Sequence, residues 1–340
     1  MKKYLSLFGV LVFLGFSAFA QQEELLFDSQ DILSINMSFS VKKLKANTND
    51  STYMDSFLSY TNSDGMQDTL EVELRARGNF RKANCYYPPV RMRLKKKEGK
   101  GNMFDGSRNL KIVFPCQTGK NADTYIVKEF LCYKLYEQVS VYTFQTRMIR
   151  VNFVNEDDKK GESEELLGFL IEDDDKVADR FDGEILENKR IIGTVLEDSA
   201  AIRHDLFQYM IGNTDWSSMY QHNMKILKLD EKTVVPLAYD FDMTGMVLPP
   251  YAQVSNLVDI ESVSERLYRG FCRDEAMMMA IRDEFLEKET ILFAEIAQLD
   301  PLVPGYEMKF MNNYLKEFYE ILKDDKRFDF NIMSACRTTE

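Results

Sequence analysis

The chain has 340 residues, of which 45% are hydrophobic and 29% charged, and its formal net charge is −12. That length is enough for one large domain or two packed lobes, each with its own core. The acidic balance excludes nonspecific nucleic-acid binding, which requires a basic face, and no biased tract marks the chain as disordered.

At the N-terminus, Lys2 and Lys3 precede an apolar run that closes with Ala18-Phe19-Ala20 before Gln21. This is the layout of a cleavable secretory signal, and the run is shorter than the roughly 20 residues a membrane span requires. The expectation is a leader over residues 1–20 and a mature chain without a transmembrane segment, exported to a periplasmic or extracellular space. Some of the cysteines Cys85, Cys116, Cys132, Cys272 and Cys336 should pair in such a compartment. Cys85 and Cys116 lie near strand-like segments of one region and are the preferred pair. The odd count leaves a thiol free, and Cys132, in an apolar helical stretch, suits that role. No cysteine or histidine spacing reads as a zinc site. With His204 and His222 the only histidines, a Ser-His-Asp hydrolase has little support.

In chain order, "DILSINMSFSVKKL" reads as a strand and "KANTNDSTYMDS" as a loop. "TLEVELRARGNF" alternates strictly from Leu70 to Leu74, a half-buried strand that stops at Gly78. "PPVRMRLKKK" alternates again, with Arg91 and Arg93 on one face and Val90, Met92 and Leu94 on the other. "NLKIVFP" is a strand stopped by Pro115. In "TYIVKEFLCYKLYEQV" the period becomes helical. "TRMIRVNFVN" and "LLGFLIED" are strands on either side of a charged hairpin connection. Beyond residue 173 helices dominate. "SAAIRHDLFQYMIGN" ends at Gly212-Asn213, a usual helix stop. The Met277–Met279 face reads as core packing, the helices up to Asp325 as shaping the acceptor side, and Arg266, Arg269 and Arg273 as a solvated helix surface or, alternatively, a contact for phosphate or an acidic partner.

Between these helices lies the chemistry. "GNTDWSSMYQHNMKIL" and "VPLAYDFDMTG" sit at the two ends of one short hairpin, "MKILKL" to "TVVPLAY". Such a hairpin brings Asp215 and Asn223 to face Asp240 and Asp242. Carboxylates with an amide oxygen are hard ligands suited to Mg²⁺ or Mn²⁺, which hold phosphate oxygens. A separate carboxylate orients an attacking hydroxyl and accepts its proton. Asp and Asn also build ordinary turns, and Trp216 beside Asp215 is as well explained by packing as by sugar binding with Tyr220.

Taken together, "RARGNFR", "PPVRMRL", "VKEFLCYKLYEQV", "RMIRVNFVN…GFLIEDDD", "GNTDWSSMYQHNMKIL" and "VPLAYDFDMTG" resemble, in order and spacing from Leu70 to Gly245, the spore-coat-protein-H (CotH) kinase family. The resemblance implies an α+β, two-lobed atypical protein-kinase-like fold. Its N-terminal lobe, about 21–172, would be an antiparallel sheet with one helix, and its C-terminal lobe, about 173–340, helical. It implies ATP and Mg or Mn as cofactors and a protein Ser/Thr hydroxyl as acceptor. Alternatives are AMP transfer on the same fold, or a non-catalytic nucleotide- or partner-binding pseudokinase.

By the same resemblance Asp215 is the catalytic carboxylate, and Asn223 and Asp240 are metal ligands, with Asp242 a further candidate. Arg77 faces phosphate, and Arg93 and Lys111 compete for the phosphate-holding strand cation. Glu129 pairs with that cation and Glu172 marks the inter-lobe hinge. Two departures stand out. Asn223 follows Asp215 by eight residues rather than five, so either the extra residues form an excursion or Asn223 is not a ligand. "RMR" also stands where the family's strand commonly carries Lys.

Overall fold

A computed structural model of the chain describes residues 25–338 except 79, 120, 188, 256 and 257. The expected leader over residues 1–20 lies outside the described residues.

The strands of the first half alternate buried and more exposed side chains in the first four and are buried along continuous runs in the last three. They are β1 (Leu33–Phe39), β2 (Met54–Thr61), β3 (Gln67–Ala76), β4 (Val90–Leu94), β5 (Asn109–Val113), β6 (Thr146–Asn155) and β7 (Ser163–Glu172). The helices of this half are α1 (Val41–Asn47), α2 (Phe80–Asn84) and α3 (Ala122–Val139). Among the described residues the strands close into a barrel in the order β1-β2-β3-β4-β5-β7-β6. Leu70, Val72, Leu74, Val90, Met92, Leu110, Ile112 and Val151 fill its interior. The residues between them face outward, so Arg75, Arg91 and Lys111 form one row across β3, β4 and β5.

This corrects the expected architecture. The N-terminal half is not an antiparallel sheet lobe with one helix, and the chain is not a two-lobed kinase-like fold. β1 runs parallel to β6, from the pair Leu33–Ile149 to the pair Phe39–Asn155, and this pairing closes a mixed barrel. Closure removes the free edges that an open sheet must protect. A further correction is local: the strand predicted through Leu44 ends at Phe39. Ser40 then caps α1 by accepting from the Lys43 amide, and the predicted loop gives way to β2.

The second half contributes α4 (Asp174–Arg180), β8 (Glu184–Ile185), α5 (Asp198–Ile211), β9 (Met224–Lys228) and β10 (Val234–Ala238). It continues with α6 (Glu275–Glu287), α7 (Glu289–Ala297), α8 (Gly305–Lys323) and α9 (Asp325–Phe328). β9 and β10 form the expected hairpin, and β8 joins it in a separate small sheet, β10-β9-β8. α3 is buried on nearly every side. It lies between the barrel, through Val113 and Phe169, and the second half, through Phe207 and Leu315 on helices and Phe241 in the turn after β10, in one continuous core.

Cys85 pairs with Cys116 as expected and Cys132 is free and buried, while Cys272 pairs with Cys336. Among the described residues no helix is long and apolar enough to cross a membrane. The predicted helix surface around Arg266 to Arg273 is irregular chain.

Phe169 is fully buried, with ring centroids 5.8 Å from Phe130 and 5.6 Å from Tyr133 on α3. Phe169→Ala therefore removes the seam between barrel and helix. It should cost about 3–5 kcal/mol in denaturant unfolding.

Candidate active site

The centre of the site is the Asp-Phe-Asp turn after β10. Phe241 is fully buried, 4.6 Å from the Tyr133 ring and 5.5 Å from Phe207. With the phenyl ring driven into the core, Asp240 and Asp242 are held on either side of it. The Asp240 amide donates to the Tyr133 hydroxyl at 3.1 Å, and its φ of 62° lies in the left-handed region that Asp and Asn tolerate better than most residues.

Asp242 is only 5% exposed and one of its carboxylate oxygens has no hydrogen-bond partner. Its charged neighbour is Arg81 on α2, with Nε 3.8 Å away. Arg81, 6% exposed, also donates to Glu129 at 3.2 Å and to the Phe114 carbonyl at 2.7 Å. Glu129 on α3 is 2% exposed. Burial pushes the carboxyls of both Glu129 and Asp242 upward. Asp240 adds repulsion at Asp242, and Arg81 only partly offsets the effect on either. One guanidinium thus serves a cluster of carboxylates and leaves negative charge uncompensated.

The Asp215 loop begins where α5 ends. Gly212 adopts φ 65° to terminate the helix, and a Cβ there would strike the Tyr314 hydroxyl. The Asn213 side chain then accepts from the Asp215 amide at 3.0 Å. The unusual spacing has a simple cause. Ser217 and His222 exchange backbone hydrogen bonds of 3.0 Å in both directions, which closes the extra residues into a small excursion. The turn returns with Gln221 at φ 48° and Asn223 at φ 50°. It sets His222 Nε2 3.1 Å from one Asp215 oxygen, and the Asn223 amide donates to the other at 3.1 Å. The His222 hydrogen bond holds the Asp215 carboxyl below its usual range against burial, and the same contact raises His222.

The barrel wall supplies cations. Arg77, just past β3, donates to the Tyr239 hydroxyl and lies over that ring, 5.6 Å from its centroid. Lys111 lies 5.3 Å from the same centroid and pairs with Asp174. It also donates to the Glu172 carbonyl at 3.2 Å. Asp174 is shared with Lys225 at 3.2 Å. Burial would raise the Asp174 carboxyl, but Lys111 and Lys225 hold it down at about 2. Arg91 reaches Asp173 at 2.6 Å.

The fold therefore gathers Arg77, Lys111, Asp215, Asn223, Asp240, Asp242 and Glu129 around the β9–β10 hairpin. Arg93 instead pairs with Glu73 at 2.7 Å and stacks over Tyr53 at 4.3 Å. Glu129 takes Arg81 as its partner, rather than Arg93 or Lys111. The Glu172 side chain is occupied by Arg180 at 2.8 and 2.9 Å, so at the junction only its carbonyl meets a site cation. Sequence reasoning missed Arg81, Arg91, Asp174, Lys225 and His222 as site residues. Arg81 lies in a helix too short to show a period. The only trace of His222 is its place beside Asn223.

Among the described residues no group of three or more His, Cys, Asp and Glu side chains is arranged to hold a metal ion. Comparison with protein-family models and with curated proteins returned no match.

Two predictions follow from the charge cluster. Arg81→Met strands the Glu129 and Asp242 carboxylates in the core and should cost about 3–5 kcal/mol in chemical denaturation. Both carboxyls favour the protonated form more strongly in the folded chain than in the unfolded one. The unfolded state then binds fewer protons, and stability falls as pH rises from the usual carboxylate range toward neutrality. Without divalent cations the thermal midpoint should fall over that interval, and Asp242→Asn should flatten the dependence.

Proposed function

We propose that this chain is a divalent-metal-dependent phosphotransferase of the CotH type. It moves the γ-phosphoryl group of ATP onto a Ser or Thr hydroxyl of a protein acceptor. The observation that carries this reading is one juxtaposition: Asp215, held through both oxygens by His222 and Asn223, beside an Asp240–Asp242 pair with uncompensated buried charge.

The residues fit a hard cation. The Asp242 oxygen that faces Arg81 without a hydrogen bond and the excess of carboxylate over guanidinium are what a cation would satisfy. Asp240, Asp242 and the Asn223 amide oxygen would hold it. Two carboxylates suffice for Mg²⁺ when phosphate oxygens and water complete the shell. Such an ion, when bound, neutralises phosphate charge.

The chain's own groups divide the remaining work. Asp215 orients the acceptor hydroxyl and takes its proton as that oxygen bonds to the γ-phosphorus and the bond from that phosphorus to the β–γ bridging oxygen breaks, leaving ADP. The hydrogen bonds from His222 and Asn223 fix the carboxylate in one rotamer, so its orientation is prepaid. Arg77 and Lys111 both meet Tyr239, the residue before Asp240, and from there counter the phosphate charge. The Cys85–Cys116 and Cys272–Cys336 disulfides support an exported chain working in an oxidising space.

The test is intact mass of the chain from Gln21 after incubation with ATP and Mg²⁺ or Mn²⁺, alone and with a Ser/Thr-rich acceptor protein. Gain of phosphate is expected. Asp215→Ala should lower the rate about 10²-fold or more while nucleotide-dependent thermal stabilisation persists. Asp240→Ala should lose both. Gain of AMP would replace phosphoryl transfer by nucleotidyl transfer, and stabilisation without any transfer would leave a nucleotide-binding protein.

A further inference from the structure

The Asp215 loop is braced from outside the hairpin by a segment with no sequence motif. Arg269 donates to the Thr214 carbonyl, and to the Trp216 carbonyl at 3.0 Å. The two acceptors flank Asp215 on either side. Backbone hydrogen bonds at both neighbouring peptides leave the residue between them little freedom to turn its Cα–Cβ bond. The guanidinium also lies 5.6 Å from the Trp216 ring centroid.

Arg269 is in turn held by the C-terminal end of the described chain. Arg337 donates through Nε to the Arg269 carbonyl at 2.6 Å and through its backbone amide to the Gly270 carbonyl at 2.8 Å. The Cys272 amide returns a bond to the Arg337 carbonyl at 2.9 Å. The Cys272–Cys336 disulfide locks this short parallel pairing. Arg337 covers the other side, 5.9 Å from Trp216 and 4.4 Å from Phe271. Neighbouring arginines behave differently. Arg266 caps the Tyr314 carbonyl and Arg273 the carbonyls of Leu196 and Gly193, away from Asp215. The basic cluster is thus a set of backbone clamps, of which Arg269 alone among these three grips the residues flanking Asp215.

We propose that Arg269 is the positioning residue of the Asp215 loop, and that the Cys272–Cys336 clasp keeps it in place. The clasp thereby makes the orientation of the Asp215 carboxylate depend on the C-terminus. The catalytic consequence rests on the phosphotransfer reading; the positional statement does not. Cys272 is exposed and Cys336 partly so, whereas Cys85 and Cys116 are buried. The clasp is therefore the disulfide a reductant in solution meets first, and its opening would slacken the loop without touching the nucleotide's ligands.

The experiment compares wild type, Arg269→Met, Arg269→Lys and the double variant Cys272→Ser/Cys336→Ser. It reads kcat and KM for ATP together with amide hydrogen exchange over residues 213–217. Arg269→Met should lower kcat on the order of 10²-fold, the loss that follows a displacement of about 1 Å, with KM for ATP changed by less than about twofold. Arg269→Lys, with one cationic head for two carbonyls, should fall between. The double-cysteine variant should speed exchange at 213–217 and lower kcat with Arg269 still present, so the idea stays testable even if Arg269→Met does not fold. Unchanged exchange over 213–217 in both Arg269→Met and the double variant overturns the positioning role. Unchanged kcat in an active enzyme overturns its catalytic consequence. Faster exchange in variants of a wild type that transfers no phosphate supports the positioning role and rejects the phosphotransferase reading.

Discussion

The rest of the structure depends on the burial of Arg81. Its guanidinium joins α2 to the end of β5 through the Phe114 carbonyl, to α3 through Glu129, and to the turn after β10 through Asp242. A buried charge of this kind costs several kcal/mol in lost hydration, and only well-placed partners return it. The barrel, the central helix and the site turn are consequently tied to one position of one side chain. Three carboxylates at Glu129, Asp240 and Asp242 converge on Arg81, with Arg77 acting on Asp240 and Glu129 from the end of β3.

Around this centre the two halves contribute differently. The barrel is a closed, apolar-filled cylinder, and its outer face presents a fixed row of cations. The carboxylates come from turns whose backbones occupy the left-handed region at Asn223 and Asp240. Such conformations persist when surroundings over-determine them. Here the surroundings are the Phe241 ring in the core, the Tyr133 hydroxyl on the Asp240 amide, and the excursion from Ser217 to His222. Arg91 and Lys111 of that row are held by Asp173 and Asp174, at the start of the second half.

Much of this was legible in the sequence wherever the signal was local. Alternation in "TLEVEL" and "VRMRL" marked β3 and β4, the glycine after "FQYMI" marked the end of α5, and two short apolar runs around Asp230 marked the β9–β10 hairpin. Placing Asp215, Asn223, Asp240 and Asp242 together needed only that hairpin, because its strands return the chain to its starting point. The partner of Glu129 was not legible. Arg81, Arg93 and Lys111 are all basic residues near strands, and which one turns inward depends on how α2 folds over the barrel rim. The barrel itself was illegible for a related reason: alternation says which face of a strand is buried, not which strand lies beside it.

The amino-acid sequence by itself thus determined the periodic elements, the pairing of Cys85 with Cys116, and the carboxylate set at the hairpin. Each rests on spacing between residues close along the chain or on a short return. Tertiary structure alone decided that β1 would run parallel to β6 and close the barrel. It also decided that Arg81 would pair with Glu129, and that Arg269 and the Cys272–Cys336 clasp would brace the Asp215 loop. Those contacts join segments far apart in sequence. They form only after the loops between them have lost their entropy, and that cost and its return are written in packing, not in any local pattern.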